Sequence, residues 1–129
     1  MVTIREILQV ASENKASDVH ITVGIPPKMR VNGKLKTMPF ERMMPGDTLE
    51  VLLSVMSEAQ KERFEERGEL DFSYSIPELG TYRVNAFKQR GTVALAFRLV
   101  SSEIPSPEAL GVPESVIDLY QSKRGLVLV

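Results

Sequence analysis

Leu70, Phe72, Tyr74 and Ile76 alternate without interruption with Asp71, Ser73 and Ser75. A period of two is the spacing of a pleated strand with one buried and one solvated face. Pro77 to Gly80 makes a turn, after which Tyr82 to Lys88 and Thr92 to Val100 form two further strands, joined around Arg90 and Gly91 as a hairpin. Three consecutive strands of this kind make an antiparallel meander, and the rest of the chain must supply the layer that covers its apolar face.

Upstream, Thr3 and Glu6 have the spacing of a capping box, and Ile4, Ile7, Leu8 and Ala11 follow on one helical stripe. From Ser17 the period changes: Val19, Ile21 and Val23 alternate with Asp18, His20 and Thr22 until Gly24, Pro26 and Pro27 break the strand. Lys28 to Val31 and Leu35 to Met38 form a hairpin across Asn32 and Gly33, two residues that tolerate positive φ. Asp47 with Glu50 marks the start of a second helix, with Leu49, Leu52, Leu53 and Met56 as its expected apolar face. Ser57 with Gln60 opens a third, charged around Phe64 and ending at Gly68.

Downstream of the meander, Ser101 to Pro113 carries three prolines, which remove backbone donors and fix φ, so residues 101–113 read as an interdomain linker after a first unit spanning 1–100. Pro113, then Val116, Leu119 and Tyr120, with Lys123, Arg124 and Gly125 behind them, describe a short terminated helix. Leu126 to Val129 is a continuous apolar run of the type found in strands covered on both faces. Residues 114–129 are therefore expected to begin a second, α/β unit whose remainder lies beyond Val129.

Composition narrows the function. With 16 basic against 17 acidic side chains, no global field favours nucleic acid, and none is expected as a partner. The chain has no Cys and one His, so thiol chemistry, disulfides and a metal centre are not expected. The charged first twenty residues lack the apolar centre of a signal peptide, and no run approaches the roughly 18 apolar residues of a membrane span. A cytoplasmic location is expected.

Three segments carry a family resemblance together: ASDVHITVGIPPKMRVNGKL (Ala16 to Leu35), GELDFSYSIPELGTYRVNAFKQRGTVALAFR (Gly68 to Arg98) and IPSPEALGVPESVIDLYQSKRGLVLV (Ile104 to Val129). In this order they resemble the N-terminal part of the type IV pilus retraction ATPases of the secretion ATPase superfamily. The resemblance implies an α+β fold: a PAS-like antiparallel sheet with flanking helices, plus a short helix and first strand of a truncated RecA-like ATPase domain. It implies a homohexameric motor that uses ATP and Mg for twitching motility, peripheral at the cytoplasmic side of the inner membrane. Expected partners are the ATPase domains of the same and neighbouring subunits and the pilus inner-membrane platform. In that family the apolar run after the RG dipeptide leads into a glycine-rich phosphate-binding loop. This chain ends before it, so no cofactor and no hydrolysis are expected of these residues alone.

The same resemblance implies arginines directed at nucleotide bound by the ATPase domain. The matching positions are Arg83 in TYRVN and Arg98 in ALAFR, with Arg90 at the hairpin tip a third candidate ranked behind them. An arginine suits the role through its permanent charge and planar fork, and antiparallel pairing would put Arg83 and Arg98 on one sheet face. Two other readings stay open: the N-terminal domain of a related pilus-assembly or type II secretion ATPase, or a PAS-like ligand-sensing module. His20 beside Asp18 reads as structural or solvent-facing. Glu65, Glu66, Glu69 and Asp71 read as a solvated charged face rather than an acid–base pair. Met29, Met38, Met43, Met44 and Met56 read as gap-filling core or loop residues.

Overall fold

The structure is a computed structural model that describes residues 2–101 and 104–128. Met1 of the expected first unit, Ser102 and Glu103 of the expected linker, and Val129 of the expected final strand lie outside the described residues.

The first helix, α1 (Ile4–Glu13), opens with the expected box: Thr3 Oγ1 accepts from the Glu6 amide at 3.2 Å, and the Glu6 carboxylate accepts from the Thr3 amide at 2.7 Å. It buries the predicted stripe of Ile4, Ile7, Leu8 and Ala11. Three short strands follow, β1 (Asp18–Ile21), β2 (Lys28–Val31) and β3 (Lys34–Thr37). Between β2 and β3 the turn residues Asn32 and Gly33 have φ of 51° and 80°, the left-handed values a two-residue hairpin needs. Strand β1 stops short of Val23, which makes only an isolated parallel bridge to Met43.

The second helix departs from expectation. Helix α2 (Pro45–Val55) starts two residues earlier than Asp47, with Pro45 in its first turn, and Asp47 Oδ2 accepts from the Met44 amide at 2.8 Å from inside the helix. Its buried positions are Thr48, Val51 and Leu52, while Leu49 and Leu53 stay 46% and 47% exposed. The apolar pattern concealed this because Thr48 is polar. Its hydroxyl donates to the Pro45 carbonyl at 3.2 Å, so the residue can be fully buried without an unmet hydrogen bond. Helix α3 (Glu58–Arg67) runs as expected from a Ser57–Gln60 box to Gly68, whose φ is 76°.

The meander follows as β4 (Glu69–Ile76), β5 (Gly80–Gln89) and β6 (Thr92–Val100). All strands join one antiparallel sheet in the order β3-β2-β1-β6-β5-β4. One face carries Val19, Ile21, Leu70, Tyr82, Val84, Ala86, Leu95 and Phe97, which form a single core with the buried residues of α1 and α2 and with Phe64 of α3. Met29, Met38, Met43 and Met56 are buried in this core, whereas Met44 is exposed. The helices therefore cover one sheet face, an α+β layering, and the other face carries the polar side chains that alternate with the core, together with Phe87, Ala94, Ala96 and Val100.

Beyond Val100 the expected short helix is present as α4 (Glu114–Ile117), continued by a 3-10 turn at Asp118–Gln121. Leu126, Val127 and Leu128 were expected to start a strand but adopt no regular structure and are exposed. A strand is held by hydrogen bonds to a neighbour, and no described strand runs beside these residues.

Candidate functional site

Alternation along each strand and register between strands together build the polar face. One cross-strand row reads Ser73, Arg83, Arg98, Asp18, Arg30, each directly opposite the next on β4, β5, β6, β1 and β2. A second row, two residues along, reads Asp71, Asn85, Ala96, His20, Lys28. The small Ala96 at the centre of the second row leaves an open cleft of about 420 Å³, lined by Asp18, His20, Asp71, Arg83, Asn85 and Arg98.

Arg83 and Arg98 are thus brought together, on adjacent strands and facing the same way, both exposed. Directly opposed like charges repel, so this pair raises the positive potential of the cleft rather than stabilising the sheet. Arg90 is not part of the arrangement. It sits at the β5–β6 tip with φ of 51°, seven residues along β5 from Arg83, or roughly 20 Å at strand rise.

Asp18 organises the charges around it. Its side chain is 13% exposed, and its Oδ2 accepts from Arg30 Nε at 2.9 Å while Oδ1 lies 3.8 Å from Arg98 Nε. Burial pushes the carboxyl up, but hydrogen bonds from Arg30 and Ser17, with the charges of Arg98 and Arg30, outweigh it and hold Asp18 below the ordinary aspartate range. His20 Nε2 lies 3.6 Å from Asp18 Oδ2 and has no hydrogen-bond partner, so the imidazole is a neighbour of the ion pair rather than a bonded member. At the β4 side, Asn85 Nδ2 donates to Asp71 Oδ1 at 2.9 Å. Asp71, expected to be part of a solvated charged face, therefore lines the cleft.

The cleft can hold an anion between two arginine forks, with the Asn85 amide, the His20 imidazole and the carboxylates of Asp18 and Asp71 beside it, the last two already engaged by Arg30 and Asn85. Among the described residues no group of three or more His, Cys, Asp or Glu could hold a metal ion, and no helix is long and apolar enough to cross a membrane. Asp18 and Arg30 were not singled out as site residues by sequence. Their only signal was parity, since both alternate with apolar neighbours on short strands.

No protein-family model matches the chain. A solved structure, that of the pilus retraction motor PilT with bound ADP, superposes with a TM-score of 0.80 at 41% identity, over 95% of this chain and 36% of that one. The α+β architecture with its six-stranded antiparallel sheet is accordingly that of the N-terminal domain of a pilus motor ATPase. Two Pseudomonas aeruginosa proteins narrow the assignment. The type IV pilus ATPase PilU is 38% identical over 95% of this chain and 32% of its own length, and the type IV pilus retraction ATPase PilT is 33% identical over 98% of this chain and 37% of its own. The chain is homologous to the type IV pilus retraction ATPases, and it spans about a third of the length of the curated relatives it matches.

Proposed function

We propose that the chain serves as the N-terminal domain of a hexameric ATPase motor that powers type IV pilus retraction and twitching motility, and that Arg83 and Arg98 are its contacts to nucleotide. The observation that carries this reading is the arginine pair, in register on an open polar sheet face of a domain homologous to the retraction ATPases. A guanidinium supplied by one domain to a phosphate held by another stabilises charge that develops during transfer. Arg90, at the far hairpin tip, is left a peripheral role.

The sequence contains no G-x-x-x-x-G-K-[ST] loop, so the phosphate cradle and the Mg ligands would come from an ATPase domain of the same or a neighbouring subunit, and the 129 residues alone would not hydrolyse ATP. The share of this domain is then mechanical: it packs between subunits, turns about the proline-bearing stretch 101–113 and reports nucleotide state to the ring. The assembled motor would act at the cytoplasmic side of the inner membrane, against the pilus platform.

The test is a chimera in which this chain replaces the matching third of the Pseudomonas aeruginosa retraction ATPase. The chimera is expected to hydrolyse ATP and the isolated chain is not. Arg83→Ala and Arg98→Ala are each expected to lower turnover at least about tenfold with the melting temperature unchanged. Normal turnover in both variants would remove the arginine assignment.

A further inference from the structure

Arg30 and Arg98 lie on either side of Asp18, and the two are held very differently. Arg30 donates through Nε to Asp18 Oδ2 at 2.9 Å and through Nη1 to the Gly33 carbonyl at 3.1 Å, so it is pinned between the carboxylate and the β2–β3 turn. Arg98 is 76% exposed, and among the described residues its ion-pair partner is Asp18, whose Oδ1 lies 3.8 Å from its Nε. One carboxylate oxygen is therefore held by a fixed cation, and the other, on a carboxylate that Ser17 also hydrogen-bonds, faces the exposed Arg98. On the opposite side of Arg98 stands Arg83, in register and of like charge. Repulsion within that pair favours splayed side chains. The pull that opposes the splaying of Arg98 comes from β1, through Asp18.

We propose that Asp18 is a positioning residue that orients the Arg98 guanidinium over the cleft, so that Arg83 and Arg98 together take a phosphate-bearing ligand. The proposal rests on the anion-binding reading above. Attraction at the Nε end restricts the side chain without occupying its Nη fork, which stays free for phosphate oxygens. Arg30 has no such role toward the ligand; it holds the carboxylate that holds Arg98.

The proposal has a sign that a simple charge argument does not share. If Asp18 were only a negative charge beside the arginines, neutralising it would raise the local potential and tighten anion binding. If it positions Arg98, neutralising it leaves the ligand to order that side chain, which weakens binding about three- to tenfold.

The experiment follows the Nε–Hε signals of Arg83 and Arg98 by NMR in the wild-type chain, Asp18→Asn and Asp18→Glu, with and without inorganic pyrophosphate. In the wild type, pyrophosphate is expected to shift both signals. In Asp18→Asn the backbone spectrum stays folded, the heteronuclear NOE of Arg98 Nε falls while that of Arg83 does not, and the pyrophosphate Kd rises about three- to tenfold. Asp18→Glu recovers part of both effects. An Arg98 signal as ordered in Asp18→Asn as in the wild type, or tighter pyrophosphate binding by that variant, overturns the proposal. Loss of Arg98 order in Asp18→Asn, with neither arginine responding to pyrophosphate in the wild type, upholds the positioning and sinks the anion-binding reading instead.

Discussion

Phe97 and Arg98 are neighbours on β6 that point to opposite faces of the sheet, and alanine at each should separate stability from function. Phe97 is 1% exposed, packs edge-on against Tyr82 with ring centroids 6.4 Å apart, and lies between Val19 on β1 and Val84 on β5. Truncating a buried Phe to Ala costs about 3–5 kcal/mol, of which an aromatic pair can supply about 0.5–1.5. We expect about 4 kcal/mol for Phe97→Ala, a large share of the stability of a domain that has about 5–15 in total. At about 4–8 °C per kcal/mol for a domain of this size, the melting temperature falls by roughly 15–30 °C. Phe97→Leu keeps most of the apolar volume and should cost about 1–1.5 kcal/mol, which keeps the comparison measurable if the alanine variant does not fold. Arg98→Ala removes an exposed side chain and a loose ion pair, so it should change stability by no more than about 0.5 kcal/mol. Urea unfolding followed by circular dichroism measures all three. If Arg98→Ala costs more than Phe97→Ala, or if Phe97→Ala costs under about 1 kcal/mol, the assignment of faces on β6 is wrong.

Two smaller predictions use the same assay. Gly68 ends α3 with φ of 76° and its amide bonded to the Phe64 carbonyl at 2.8 Å, and a Cβ there meets nothing within 4 Å, so Gly68→Ala should cost about 1 kcal/mol from backbone strain alone. An alanine variant as stable as the wild type would contradict that cap. Because the folded pKa of Asp18 is depressed, its contribution is complete above the unfolded value of about 3.9 and is lost as pH falls through the folded value. The wild type should exceed Asp18→Asn in stability at pH 7 and the gap should close below about pH 4; a gap that widens with acid would reverse the sign of the argument.

Local rules made most of the fold legible. The capping box at Thr3, the two-residue turn at Asn32 and Gly33, the cap at Gly68 and the alternation from Leu70 to Ile76 each report a geometry set by residues within a few positions, and each is found in the structure. Helix α2 was misread where a local rule had two solutions. Asp47 suits an N-cap as well as the third helical position, and Pro45 in the first turn together with the burial of Thr48 goes with the earlier start. The face of Leu49 and Leu53 was lost for the same reason: apolar character alone does not decide which of two stripes is buried when a self-satisfied threonine lies on the other.

The site divides along the same line. The β5–β6 turn has two residues, Arg90 and Gly91, so Gln89 pairs with Thr92, and counting back along both strands sets Arg83 opposite Arg98. A single extra residue there would shift the register by one and turn one arginine away from the other's face. The arginine pair was therefore implicit in a hairpin length that can be read from sequence. Asp18 and Arg30 were not, because β1 reaches β6 across most of the chain and no turn sets that register. What sets it is burial: Val19 and Ile21 meet Phe97 and Leu95 on the core side, and that pairing puts Asp18 beside Arg98 on the other. The apolar half of a four-residue strand thus determines which charge its polar half delivers to the cleft. Substitutions at Val19 or Ile21 that allow the strand to slip by one residue would remove Asp18 from Arg98 without touching either.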